Sequence, residues 1–197
     1  MSGGLRHSDS PASARRRQAI IDAANEVLRE RDVGKVAIAD IAEVAGVSVA
    51  TVYNLIGTRE RVLAAVLDGY VARLTDELAH YEPPQNAADA VIEVVRLATV
   101  QTLADPQPIR AVLCELGALS FGDHQQLGMA SLFEPLLAGL GPAAPGTDLI
   151  VYGYRGVLLS WAHGLISDHA FAADAERMTR QLLGSASPAP TTKEWKT

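Results

Sequence analysis

The chain has one cysteine, Cys114, which excludes an intramolecular disulfide, and a lone thiol outside any Cys or His cluster is a poor start for a zinc site. It has no run of eighteen uninterrupted apolar residues. The longest apolar stretch, 149–166, is broken by Arg155, His163 and several small residues, so a membrane span is not expected. The first residues, MSGGLRHSDSPASARRR, carry no apolar core of a signal peptide, and a cytoplasmic protein is the expectation. No segment alternates apolar and polar residues convincingly, and no internal repeat is visible, which leaves no basis for a sheet or a solenoid.

What is present is ordinary for a soluble globular protein: 48 % hydrophobic and 20 % charged residues, with no sign of wholesale disorder. At 197 residues the chain has room for one domain, or for a small head joined to a larger body. The net charge of −6 is unevenly distributed. Up to Arg61 there are nine Lys/Arg against eight Asp/Glu, whereas the remainder has eight against fifteen, so the acid lies in the second part. Arg6, Arg15, Arg16 and Arg17 near the start, opposed by Asp9, form a local basic arm that attracts phosphate or is simply a solvated tail.

Apolar residues recur at three and four positions almost throughout, and the fold expected is all-α with about nine helices. A first helix is expected over 14–31, with Ile20, Ala23, Ala24, Val27 and Leu28 on one stripe. Two short helices follow over 38–45 and 48–56, then a long one over 58–80. Pro83 and Pro84 break the pattern. Later helices are expected over 87–103, 108–120, 124–138, 148–167 and 170–183, with a Gly/Pro/Ala loop at 139–146. The domain reading is a flexible arm (1–13), a DNA-binding domain with its linking helix (14–80), an effector and dimerisation domain (81–184), and a flexible tail (185–197).

The stretch IADIAEVAGVSVATVYNLIGTRERVLAAVL, 38–67, carries the most information. Ile38, Ile41, Ala42 and Ala45 give the first short helix an inward face, Gly46 permits a tight turn, and Val47 fills the angle. Ser48 suits the N-cap of the second short helix, and Val52 and Ile56 point inward. Val49, Ala50, Thr51, Tyr53 and Asn54 are left for the outside. Small side chains at a helix start allow close approach to a major groove. Val49 and Ala50 can touch thymine methyls, Asn54 an adenine edge, and Thr51, Tyr53 and Arg59 the phosphates. The alternatives are that Tyr53 packs its ring on the first helix and that Asn54 faces water.

In RRRQAIIDAA, IADIAEVAGVS and TVYNLIGTRERVL the chain resembles the TetR/AcrR family of regulators, over roughly its first seventy residues. The resemblance implies a homodimer that reads two half-sites of double-stranded operator DNA. It also implies that Thr51, Tyr53 and Arg59 match phosphate-gripping positions and that Val49, Ala50 and Asn54 match the recognition surface. Four positions depart from the family's usual residues: Leu55 for Tyr or His, Ile56 for Phe, Arg59 for Lys, and Ala37 for a Thr cap. The missing cap at Ala37 costs on the order of 1 kcal/mol unless a neighbour compensates.

The same resemblance makes the last two helices the expected dimer bundle. Gly153, Gly156, Ser160 and Gly164 allow close helix approach there, which ordinary intrachain packing would also explain. An unidentified, partly hydrophobic small-molecule effector is expected between head and bundle, with Trp161, Phe133, Phe121, Arg110 and His163 as candidate contacts; core or surface packing explains each of these equally well. No cofactor and no metal are expected, because adjacent Asp168 and His169 make poor ligand geometry. Ser160 and His163 lie three apart but lack a nucleophile elbow or an acid partner, so an enzyme is not expected. The remaining alternative to a repressor is a helical protein-binding adaptor or a ligand-dependent activator.

Overall fold

The computed structural model describes residues 10–80, 82, 84–116 and 146–184. Among these there are eight α-helices, one 3-10 turn and no strand. The expected helix over 124–138, the loop up to 145, the tail, and the candidate contacts Phe121 and Phe133 lie outside the described residues.

Helix α1 runs Pro11–Glu30, three residues earlier than expected. Ser10 caps it by accepting the Ser13 N–H at 3.2 Å, and Pro11 sits at the first helical position, where a missing N–H costs nothing. The expected arm is therefore shortened, and Arg15, Arg16 and Arg17 ride on the helix. A 3-10 turn, Val33–Lys35, follows and is capped by Asp32. Helix α2 spans Ile38–Val44 and helix α3 spans Val49–Leu55. Between them the helix axis bends by 99°, within the range of a helix-turn-helix. Gly46 makes the corner at φ 63°, with its own N–H donating to Glu43 O and the Val47 N–H to Ala42 O, which closes α2 in a Schellman turn. Helix α4 spans Arg59–Ala79, α5 Ala87–Ala104, α6 Pro106–Leu116, α7 Thr147–Ala162 and α8 Asp168–Gly184.

The chain divides into two compact units, and the division falls inside α4. The first unit runs to Gly69 and takes in α6. Its core joins Ile20, Ala24 and Leu28 of α1 to Ile41 of α2, Val52 of α3, Val62, Leu63 and Val66 of α4, and Val112 and Leu113 of α6. The division differs from the boundary expected at 80/81, which put residues 106–116 with the effector domain. α6 instead packs against α1 and the 3-10 turn.

The second unit holds Tyr70–Asp105 and the last two helices. Helix α8 packs on both α5 and α7. Phe171 of α8 is fully buried and stacks on Trp161 at 5.1 Å between ring centroids, with Tyr154 tilted against it at 6.1 Å. Helix α7 ends five residues before the expected 167, because Gly164 turns to φ 73°.

Candidate nucleic-acid interface

Helix α3 is built to show most of its surface. Ser48 holds its start by accepting the Thr51 N–H at 3.1 Å, and the Ser48 and Thr51 hydroxyls share a 2.8 Å hydrogen bond. One side chain, Val52, anchors the helix by complete burial. With that position inward, Val49, Ala50, Tyr53 and Asn54 are exposed and Thr51 is half-buried. Tyr53 is 53 % exposed, so its ring is not sealed against α1. The exposed set is small, apolar and amide groups with one phenol, which suits close approach to base edges and phosphates.

The neighbouring helix starts support this arrangement. Although Ala37 offers no cap, the Asp40 carboxylate accepts the Ala37 N–H at 2.8 Å and pairs with Arg31 at 2.6 Å. Those two partners, the backbone N–H first, hold the Asp40 carboxyl below the usual carboxylate range. At the start of α4 the Thr58 hydroxyl does the same for Glu60.

Arg59 is not placed as expected. Its Nε donates to Val36 O at 2.8 Å, one Nη donates to Val33 O, and the other pairs with Glu115 Oε1 of α6 at 2.7 Å. Its side chain is only 22 % exposed. The guanidinium faces the interior of the first unit because two carbonyls and a carboxylate match its fork of donors.

The described candidate effector contacts fall in both units. Trp161 is fully buried in the core of the second unit, and its indole Nε1–H donates to Asp168 Oδ1 at 2.8 Å, which is a packing role. His163 is exposed at the end of α7, not enclosed in the apolar run that suggested it. Arg110 belongs to the first unit, where it helps line an open cleft of about 450 Å³ with Leu28, Arg31, Val33, Gln107 and Cys114. Trp161 and His163 belong to the second unit. Glu115 is the partner of Arg59, and no local pattern in the sequence relates residues 56 positions apart.

Residues 20–66 match the family model for bacterial regulatory proteins of the tetR family. Over these residues, about a quarter of its length, the chain is similar to the TetR family. Over 89 residues it is 37 % identical to the HTH-type transcriptional regulator LuxR of Vibrio harveyi, covering 41 % of this chain and 43 % of that one. It therefore spans less than half the length of that curated relative. Beyond the head the likeness is one of fold. A TetR transcriptional regulator from Rhodococcus sp. RHA1 superposes with a TM-score of 0.71 at 22 % identity, over 88 % of this chain and 99 % of that one. The Thermus thermophilus FadR, a TetR family repressor solved with lauroyl-CoA, does so at 0.60 and 18 % identity, over 92 % and 100 %. The residues matched by the family model span the second half of α1, all of α2 and α3, and the first third of α4.

Proposed function

We propose that this protein is a DNA-binding transcription regulator, a repressor that leaves its operator when a small, partly hydrophobic ligand binds the effector domain. The observation that carries the reading is α3 itself, anchored by Val52 and capped by Ser48, with Val49, Ala50, Tyr53 and Asn54 turned outward. A homodimer formed through α7 and α8 would set two such helices about 34–36 Å apart, in successive major grooves. Val49, Ala50 and Asn54 face the bases in this reading, and Ser48, Thr51 and Tyr53 meet phosphates. The basic residues Arg15, Arg16 and Arg17 on α1 add attraction that carries no sequence information. An acyl-CoA has a long apolar part, and the Thermus thermophilus relative solved with one supports a partly hydrophobic ligand here as well.

The test is fluorescence anisotropy with a duplex from the region upstream of the gene, beside a scrambled duplex, at two salt concentrations. Selective binding that weakens with salt is the expected result. Equal weak binding to both would favour a ligand-dependent activator, which requires its effector first. No binding at low salt would favour the protein-binding adaptor.

A further inference from the structure

We propose that Arg59 is the pin of an internal clamp that, with Glu115, fixes α6 to the DNA-binding head, and that it is not a phosphate ligand. The inference rests on the regulator reading only for its consequence; the clamp itself stands on geometry.

One guanidinium joins four pieces of the first unit. It projects from the first residue of α4, four residues after the end of α3, and its donors reach the 3-10 turn at Val33, the strap before α2 at Val36, and the last turn of α6 at Glu115. Three ties from one planar group fix direction as well as distance, which a flexible ammonium cannot reproduce. They span a place where apolar packing is incomplete. Ile109, Val112 and Leu113 of α6 are buried, but Gln107, Arg110 and Cys114 line the open cleft against the end of α1 and the turn. Glu115, next to Cys114, gives the C-terminal end of α6 its charged tie to the head.

The sequence gives this tie a regulatory position. α6 leads directly into the segment that includes Phe121 and Phe133, expected to bound the effector pocket. A ligand that draws on the end of α6 would therefore act on the Glu115–Arg59 pair. Through Arg59 it would act on the start of α4 and on Val33 and Val36, which flank the entry to α2. Arg59 and Glu115 are thus positioning residues for the head.

The discriminating variant is Arg59→Lys, which keeps the charge and loses the fork. Hydrogen exchange of the free full-length protein is measured for wild type, Arg59→Lys, Glu115→Gln and the double variant, each first checked for native helicity. The clamp predicts faster exchange, by about tenfold, in the last turn of α6 and at Lys35 and Val36 in each single variant, with the double variant no faster than the singles. Wild-type protection in Arg59→Lys, or effects that multiply in the double variant, would overturn it. In parallel, Arg59→Ala and wild type are titrated with a mixed-sequence duplex over a range of salt. An unchanged slope of log affinity against log salt supports the clamp, and a slope reduced by about 0.9 makes Arg59 a phosphate contact and overturns it. If the wild type binds no duplex, the regulator reading fails, while the exchange cycle still decides the clamp.

Discussion

Ser48 does two things with one hydroxyl: it closes the first turn of α3 and holds the Thr51 hydroxyl beside it. Ser48→Ala should therefore cost about 1 kcal/mol, read as a lower urea midpoint with unchanged slope, and Ser48→Asp should recover most of it. An alanine variant as stable as wild type would mean that Val52 and the helix-turn-helix corner hold α3 without the cap. This cap was legible in the sequence because Ser before a short apolar-periodic run is a local signal, confined to four residues. The replacement for the missing cap at Ala37 was less visible, since Asp40 acts both as a backbone acceptor and as a partner of Arg31, nine residues away. The partners of Arg59 are hidden from the sequence for a related reason. A long cation at the start of a helix beside a recognition surface reads as a phosphate contact, and only folding brings Val33 O, Val36 O and Glu115 within its reach. Trp161 and His163 exchange character in the same way: the aromatic ring goes into the core, while the imidazole that sat in an apolar run comes out at a helix end.

Among the described helices, existence and order followed from the three-and-four spacing, while the ends moved where backbone chemistry decided them. α6 begins at Pro106, not Pro108, because a proline is welcome in the first turn of a helix. In the second unit, α5 and α7 bring the buried Tyr154 close to two buried threonines, Thr99 and Thr102, whose own hydroxyls donate to Val95 O and Ala98 O. Burial pushes the Tyr154 phenol from 10.0 up to about 12, against a smaller opposing effect of the two threonines. The folded-state value is the raised one, so the contribution is intact below the unfolded value near 10 and is lost as pH rises toward about 12, where the unfolded chain gives up its proton first. Tyr154→Phe should thus lose less stability than wild type across that alkaline window, measured as the shift in urea midpoint. Tyr70 is also pushed up to about 12, mainly by burial, and leaves a residual loss in the variant. Equal alkaline loss in the two proteins would mean that Tyr154 ionises without cost to the fold.

For the molecule as a whole, the question is what covers the outer side of α7. The sequence offered Gly153 and Gly156 together as marks of close helix approach, and the structure separates them. A Cβ on Gly153 would come within 2.5 Å of Met178 Sδ and 3.3 Å of Leu182 Cδ1, so Gly153 serves the packing of α7 on α8 within one chain. A Cβ on Gly156 would meet nothing within 4 Å among the described residues. On the same stripe, one and two turns earlier, Tyr152 and Leu149 are half exposed, an apolar strip that a second copy of the chain would bury. Such an isologous pairing sets each α7 against its partner and fits the twofold arrangement that two DNA half-sites require. Gly156→Arg should then leave the single-chain fold intact while shifting the sedimenting mass from twice 20.9 kDa to 20.9 kDa. Tyr152→Glu serves as an independent variant if the first loses helicity. A dimer that survives both substitutions would move the interface off this face of α7. A monomeric Gly156→Arg protein that also binds operator DNA only weakly would tie DNA affinity to pairing of the two heads, since each half-site alone offers half the contacts.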